Sequence, residues 1–225
     1  MALPGGAAGG AAPDRKGIPM YARSVTIMAR PDSIDTGVGF VRDEVMQTLM
    51  GMGGYIGLSM LVDRGSGRTI TTSAWQDQDA MRASDEQLQP LRSRGADLMG
   101  GQPRAEEWEI AVLHRDHPSQ QGACVRATWV QMDPQQLDRG IDVFKNSALP
   151  AIERYGGFCS ASLLINRENG RAVVSVSFDG RDAMERNREP AQQVREQVTR
   201  EMNAEIVEVS EFELALAHLR VPELV

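Results

Sequence analysis

Hydrophobic and polar positions follow two periods along the chain, and the same succession of periods occurs twice. Alternation with a period of two, which is typical of half-buried strands, covers residues 21–30, 55–63, 68–75 and 106–114. Apolar residues at helical spacing lie between the first and second of these segments and again before the last. The pattern predicts the order strand, helix, strand, strand, helix, strand, followed by a second copy of it.

Short motifs that recur at one spacing support a tandem duplication. At an offset of 103 residues, Gly53-Gly54-Tyr55 returns as Gly156-Gly157-Phe158, Gly67-Arg68 as Gly170-Arg171, and Asp79-Ala80-Met81 as Asp182-Ala183-Met184. In the last strand the offset grows by one residue, so that Trp108 matches Phe212 and His114 matches His218. Agreement in spacing over a whole unit is far more specific than any single tripeptide.

Acidic residues mark the predicted helix starts. Asp32 or Asp35 is expected to cap the first helix, and Asp77 or Asp79 the second. In the second copy, Asp133-Pro134 combines an N-cap with a proline at the first helical position, where no N–H is needed.

The second strand of each copy has a bulky row and a smaller row of side chains. In the first copy Ile56, Leu58, Met60 and Val62 share one side, which we expect to meet the helices. The side chains of the opposite row are not polar enough to face water. The sheet of the other copy is the nearest surface that could bury them. The predicted fold class is therefore α+β, with two ferredoxin-like βαββαβ repeats closing into one intramolecular, pseudo-dimeric α+β barrel.

This organisation divides the chain into four segments. Residues 1–19 are rich in glycine, alanine and proline, lack the basic and apolar regions of a secretory signal, and are expected to form a flexible tail. Repeat 1 covers residues 20–115, a linker covers 116–122, and repeat 2 covers 123–225.

Composition narrows the range of partners. The formal net charge is −7 and the pI about 5.1, so nucleic acid and anionic membranes are not expected to bind. Cys124 and Cys159 form neither a disulfide framework nor a zinc spacing, and we expect two buried thiols in a reducing cytoplasm. No stretch approaches the length of apolar sequence that spans a membrane.

The glycine–aromatic step after the first helix and the Trp-x-Asp-x-Asp-Ala-Met run after the third strand carry a family resemblance. They lie in residues 50–55 and 75–81 of the first copy and 149–158 of the second. Through them the chain resembles the antibiotic-biosynthesis-monooxygenase (ABM) domains of the dimeric α+β barrel superfamily, and the resemblance extends from residue 21 to 220. It implies oxygenation of a quinol-like aromatic compound without a bound cofactor, or haem degradation.

Haem degradation is disfavoured by the ligand chemistry. Trp75 falls where the haem-degrading branch keeps a tryptophan, and copy two has Phe178 there. The first strand offers no asparagine, and Asp85 and Glu86 stand where an iron-binding histidine would be expected. Iron would have no obvious axial nitrogen ligand.

A cofactor-free oxygenase needs a group that takes a proton from its substrate, and histidine is suited to this near neutral pH. His114 shares strand parity with Trp108, Ile110 and Val112, and His218 with the matching residues of copy two, so each histidine is expected to end a helix-facing apolar row. They are the predicted catalytic residues; ordinary surface histidines are the alternative. His114, Asp116 and His117 are spaced too loosely to indicate a metal site, so none is predicted.

The predicted ligand-binding residues belong to copy one, where we expect a cavity between sheet and helices. Trp75 and Trp108 are candidates to stack on a ring, and core packing is the alternative for both. Methionines make adaptable apolar walls, and copy one is rich in them, including Met28, Met60 and Met81.

An arginine recurs in the first strand of each copy. Arg23 is predicted to hold an anionic or phenolic oxygen of a ligand. The alternative is that Arg23 and its repeat, Arg126, form inter-copy ion pairs with Glu109 and Glu213.

Two functions remain open at this point. The first is an ABM-like monooxygenase that acts on a small apolar or aromatic molecule without a bound cofactor. The second is a non-catalytic small-ligand-binding or scaffold protein on the same fold. Pairing of two chains through an exposed barrel edge, which would give a homodimer, also stays open.

Overall fold

A computed structural model of the protein describes residues 19–219 and 221–224. Apart from Pro19, the predicted tail lies outside the described residues. Repeat 1 contains β1 (Met20–Met28), α1 (Ile34–Phe40), α2 (Met46–Met50), β2 (Tyr55–Val62), β3 (Arg68–Trp75), α3 (Gln78–Ala83), α4 (Asp85–Met99) and β4 (Arg104–Arg115). A π-helical turn, Val41–Val45, joins α1 to α2.

Repeat 2 has the same order of elements. It contains β5 (Cys124–Gln131), α5 (Leu137–Val143), α6 (Leu149–Ile152), β6 (Phe158–Asn166), β7 (Arg171–Phe178), α7 (Arg181–Arg186), α8 (Arg188–Glu201) and β8 (Glu205–Leu219). A π-helical turn, Phe144–Ala148, joins α5 to α6, as in repeat 1. None of the described helices is long and apolar enough to cross a membrane.

All eight strands form one closed antiparallel barrel in the order β1-β3-β2-β8-β5-β7-β6-β4. Two seams, β2–β8 and β4–β6, join the repeats. The predicted intramolecular α+β barrel is confirmed. Because each strand has two neighbours, the described strands offer no free edge to a second chain.

The buried apolar residues form three clusters. One lies between sheet and helices in repeat 1 and a second lies in the same place in repeat 2. The third fills part of the barrel interior and draws on both repeats, with Trp108 and Ile110 from one and Trp129 and Phe212 from the other. Each repeat therefore completes the core of its partner.

Bulges in the strands correct the predicted faces. The register shifts between Tyr55 and Gly57, so Ile56 packs against the barrel interior, while Leu58, Met60 and Val62 meet the helices as predicted. Strict alternation fails here because a bulge adds one residue to one side of a strand pair.

The same effect splits the apolar row of β4. The register shifts between Ile110 and Val112, so Trp108 and Ile110 face the barrel interior and Val112 faces the helices of repeat 2. The expectation that His114 ends one continuous helix-facing row was therefore wrong.

Two of the predicted caps are present. The Asp77 carboxylate accepts a hydrogen bond from the Ala80 backbone N–H at 2.8 Å, and the Asp133 carboxylate accepts one from Gln135 N at 2.9 Å. Neither Asp32 nor Asp35 caps the first helix through its side chain.

The predicted inter-copy pairs of Arg23 and Arg126 were wrong. Arg23 binds Glu107 at 2.7 Å and Arg126 binds Glu211 at 2.9 Å, each within its own repeat. Glu107 lies directly opposite Arg23 in the pairing of β1 with β4, and Glu211 lies directly opposite Arg126 in the pairing of β5 with β8.

Glu109 and Glu213 do pair between the repeats, but with arginines of the β2–β3 and β6–β7 turns. Arg64 binds Glu213 at 2.9 Å and Arg167 binds Glu109 at 2.6 Å. Both ion pairs cross a seam of the barrel.

Candidate functional site

A cavity of about 290 Å³ lies inside the barrel. Every strand contributes to its wall: Ala22, Ser59, Leu61, Thr72, Ala74, Ile110, Leu113, Arg115, Val125, Ser160, Ser162, Leu164, Ser175, Ser177, Leu214 and Ala217. A cavity of about 150 Å³ is enough to bind benzene, so this one has room for a larger aromatic molecule.

The cavity wall mixes apolar side chains with hydroxyl groups. Leu61, Ile110 and Leu164 provide apolar surface, while Ser59 and Thr72 are among several hydroxyl residues. Such a wall suits a mostly apolar ligand with a few hydrogen-bonding atoms.

The linker and the C-terminal segment meet at one end of this cavity. His117, Pro118 and Ser119 of the linker line it, as does Val221 from the segment after β8. The C-terminal segment is fixed by two backbone hydrogen bonds between Leu113 and Leu224, of 3.0 and 2.8 Å. We call this end of the cavity the linker mouth.

A polar cluster at the linker mouth is centred on His117. Its Nδ1 lies 2.8 Å from Asp116 Oδ2, and its Nε2 lies 2.9 Å from Asp179 Oδ1. The hydrogen bonds to Asp116 and Asp179 raise the pKa of the His117 imidazole, and the bond to His117 lowers the pKa of the Asp179 carboxyl. The imidazolium form of His117 is thereby favoured.

Cys159 belongs to the same cluster, and it occupies the bulge of β6 between Phe158 and Ser160. Its Sγ lies 3.5 Å from Asp179 Oδ1, and the residue is fully buried. Burial, with a smaller contribution from Asp179, raises the pKa of the thiol to about 12. The neutral thiol donates to the carboxylate, so Cys159 has none of the thiolate character that a nucleophile needs.

The residues predicted to bind a ligand do not surround the barrel cavity. Trp75, Met60 and Met81 are fully buried in the helix-side core of repeat 1, and Trp75 donates its indole N–H to Ser73 Oγ at 3.0 Å. Met28 is 54% exposed. These side chains occupy two different environments, so a role in ligand binding stays a prediction.

Arg23 and Trp108 lie on opposite sides of the sheet. Arg23 lines a helix-side cavity of about 60 Å³, which is smaller than a benzene site of about 150 Å³. Trp108 belongs to the barrel-interior cluster and donates its indole N–H to Ser24 Oγ at 2.8 Å.

The two predicted catalytic histidines each contact the other repeat. His114 Nε2 lies 2.9 Å from Glu153 Oε1, and the ring stacks on Phe158 with centroids 6.1 Å apart. His218 stacks on Tyr55 at 6.4 Å, with Nδ1 3.4 Å from the Tyr55 hydroxyl. Neither lines the barrel cavity, and their catalytic role stays a prediction.

Sequence reasoning did not find the cluster of His117, Cys159 and Asp179. Its members come from the linker, a strand bulge and the residue after β7, and no motif spacing links them. The one available signal was a difference between the copies, since Ile56 and Gln76 stand where repeat 2 has Cys159 and Asp179.

The closed eight-stranded barrel of two ferredoxin-like units defines a protein of the dimeric α+β barrel class. An anthrone oxidase-like protein aligns with a TM-score of 0.65 at 12% identity, over 93% of this chain and 96% of its own. A candidate monooxygenase from Fusobacterium nucleatum aligns with a TM-score of 0.65 at 13% identity, over 90% of this chain and 95% of its own. A Listeria monocytogenes protein of the ferredoxin fold, related to antibiotic biosynthesis monooxygenases, gives a TM-score of 0.52 at 8% identity, over 89% and 98%. These likenesses concern the fold.

Sequence similarity gives a narrower assignment. The uncharacterized protein Rv2557 of Mycobacterium tuberculosis H37Rv is 56% identical over 222 residues, which cover 98% of this chain and 99% of that protein. The uncharacterized protein Rv2558 of the same strain is 53% identical, with 98% and 94% covered. The chain belongs to the family of these two mycobacterial proteins. No protein-family model matches it.

Proposed function

We propose that the protein binds a small apolar or aromatic molecule inside the barrel and oxygenates it without a bound cofactor. The observation that carries this proposal is the cavity of about 290 Å³, with its apolar and hydroxyl wall. The helix-side cavities, of about 60 and 70 Å³, are too small for an aromatic ring.

Arg115 and His117 favour a ligand that carries an acidic hydroxyl group, such as a phenol or the enol form of a ketone. Both line the cavity, and Arg115 Nη2 is buried without a hydrogen-bond partner among the described residues. A guanidinium and an imidazolium beside a phenol-like hydroxyl stabilise its ionised form. The resulting electron-rich anion is the form that reacts with oxygen.

The substrate itself supplies the electrons in this reaction. A ring CH₂ group flanked by aromatic carbons becomes a carbonyl group, one oxygen atom enters the product, and the other leaves as water. The shared fold with an anthrone oxidase-like protein supports this class of substrate.

Oxygen uptake by the purified protein tests the proposal. We expect at least one compound in a panel of anthrones and quinols to increase uptake above the buffer rate. Leu164→Trp adds bulk to the cavity wall and should lower that uptake at least tenfold. Val207→Trp is the matched control, because Val207 is 59% exposed on β8. Equal uptake by the Leu164→Trp variant and the wild type would refute the site.

A non-catalytic ligand-binding function is the second candidate, and one observation favours it. Both ring nitrogens of His117 are engaged by carboxylates, so the linker mouth offers no free imidazole base. This function predicts stoichiometric binding of the same compounds in calorimetry, blocked by Leu164→Trp, with no oxygen uptake.

A further inference from the structure

Three separate segments bring a nitrogen, a sulfur and an oxygen donor together at the linker mouth. The donors are His117 Nε2 in the linker, Cys159 Sγ in the β6 bulge and Asp179 Oδ1 after β7, and all lie within 4.8 Å of one another. Asp179 Oδ1 is 2.9 Å from the imidazole nitrogen and 3.5 Å from the sulfur.

The two separations that involve Asp179 Oδ1 are close to those of a tetrahedral zinc site. Bond lengths of about 2.0–2.3 Å place neighbouring ligand atoms about 3.3–3.6 Å apart around zinc. The 3.5 Å separation of sulfur and carboxylate oxygen already lies in that range, and a shift of about half an ångström would bring the 2.9 Å separation of imidazole and carboxylate into it. Zinc takes thiolate, imidazole and carboxylate donors in proteins, and its binding would displace the proton of the Cys159 thiol. Three such donors leave a fourth position for water.

The surroundings already orient the ligands. Asp116 Oδ2 lies 2.8 Å from Nδ1 of His117, which leaves Nε2 as the nitrogen directed at the cluster. A histidine that binds zinc usually donates its other ring N–H to a carboxylate or carbonyl oxygen in this way, which fixes the orientation of the ring. The backbone N–H groups of Asp116 and His117 donate to the Cys159 carbonyl at 2.9 and 3.3 Å, so the linker is held against the bulge by the main chain as well.

The fold does not require this cluster. By the repeat registers, the positions equivalent to Cys159, Asp179 and His117 are Ile56, Gln76 and Val221. Val221 lines the same cavity as His117, so the equivalent side chains stand in comparable places. The barrel closes with an apolar and amide set at these positions of repeat 1, so closure does not require the histidine, cysteine and aspartate of repeat 2.

We propose that His117, Cys159 and Asp179 bind a zinc ion, with Asp116 orienting the histidine, and that the ion fastens the linker across the mouth of the barrel cavity. The zinc proposal does not depend on the reaction proposed above, and in the zinc-bound protein the charge of the ion would replace that of the His117 imidazolium. Oxygen uptake and zinc binding are separate measurements, so either can fail alone.

Metal titration of the full-length protein, free of any polyhistidine tag, tests this site. In calorimetry we expect one equivalent of Zn²⁺ to bind. Co²⁺ in its place should give a thiolate-to-metal charge-transfer band and the intense visible bands of tetrahedral coordination. Cys159→Ser should abolish the charge-transfer band. Cys124→Ser should keep it, because Cys124 is an equally buried thiol outside the cluster.

Two variants test the site without altering the barrel core. His117→Asn changes a linker side chain that is 37% exposed, and it should abolish stoichiometric zinc binding. Asp116→Asn should weaken zinc binding about 10- to 100-fold, because it removes the carboxylate that orients the His117 ring. His114→Asn is the control and should bind zinc like the wild type. Failure of the wild type to bind one equivalent, or equal binding by wild type and His117→Asn, would overturn the proposal.

Discussion

His117 lies between two carboxylates, and this makes the stability of the fold depend on pH near neutrality. Asp116 and Asp179 raise the pKa of its imidazole above the unfolded value of about 6.5. A group whose pKa is raised by folding stabilises the protein fully below the unfolded pKa and loses that effect as pH rises through the folded pKa. The hydrogen bond to His117 lowers the pKa of the Asp179 carboxyl, so Asp179 stays ionised throughout this window.

We therefore expect the melting temperature of the wild type to exceed that of His117→Gln at about pH 6, with the difference shrinking by about pH 9. Thermal melts in the presence of EDTA measure this without a contribution from metal. A difference that stays constant over the window would show that the imidazolium–carboxylate contacts do not form.

The Arg126–Glu211 pair is a buried ion pair whose two halves differ in exposure. The Arg126 side chain is 3% exposed and that of Glu211 22%. Removing one partner of a buried pair leaves an uncompensated charge, which costs about 3–5 kcal/mol. We expect Glu211→Gln to lower the free energy of unfolding by about 3 kcal/mol in urea denaturation.

Repeat 1 provides the control for this prediction. Glu107→Gln breaks the equivalent pair, but Arg23 keeps Asp85 at 3.0 Å. Glu107→Gln should therefore lower the free energy of unfolding by a smaller amount, about 1 kcal/mol. Equal losses in the two variants would contradict the view that a second carboxylate compensates Arg23.

At the scale of strands and helices, the turns between paired strands depend on glycine in a conformation that other residues avoid. Gly170 has φ of +72°, and a Cβ atom there would lie 2.0 Å from the Met132 carbonyl oxygen. Because backbone cannot move aside as a flexible side chain does, we expect Gly170→Ala to destabilise the protein by about 3 kcal/mol.

Gly156→Ala is the matched variant, since a Cβ atom there meets nothing within 4 Å. It should change the free energy of unfolding by less than about 1 kcal/mol. Chemical denaturation measures the free energy of unfolding of both variants, one with a strained added methyl group and one with an unhindered added methyl group. Similar losses in both would mean that the Gly170 turn relaxes freely.

The order of elements could be predicted from the sequence because each period persists over a whole strand or helix. The faces of β2 and β4 could be predicted only up to their bulges, since one inserted residue reverses every later side chain. Ile56 and Trp108 were assigned to the wrong side for this reason. The cluster of His117, Cys159 and Asp179 could not be predicted. Cys159 occupies such a bulge, and the position of His117 depends on the conformation of the linker, which the sequence pattern does not give.

At the scale of the whole molecule, duplication within one chain allows the two halves to differ. A symmetric homodimer must place the same side chains at both equivalent positions of its barrel. Here Cys159 and Asp179 face the linker, while Ile56 and Gln76 occupy the equivalent positions of repeat 1. The single chain can thus keep a cysteine and an aspartate beside the linker in repeat 2 and a different pair of side chains at the equivalent positions of repeat 1.

The halves should nevertheless depend on each other for folding. The barrel-interior cluster takes Trp108 from repeat 1 and Trp129 and Phe212 from repeat 2, and the cation of Arg68 lies 4.6 Å from the Trp129 ring centroid. Separation would expose this apolar surface and unpair two strand edges in each half.

We expect residues 1–118 and 119–225, expressed separately, to be unfolded or self-associated. When co-expressed, they should form a one-to-one complex that melts cooperatively. Size-exclusion chromatography with light scattering measures the stoichiometry, and circular dichroism measures the transition. Trp129→Ala in the second fragment should weaken the complex, whereas Val207→Ala on the exposed surface of β8 should not. If each fragment instead melted cooperatively as a monomer, the helix-side core of one repeat would be sufficient for folding. The shared barrel interior would then not be what stabilises the fold.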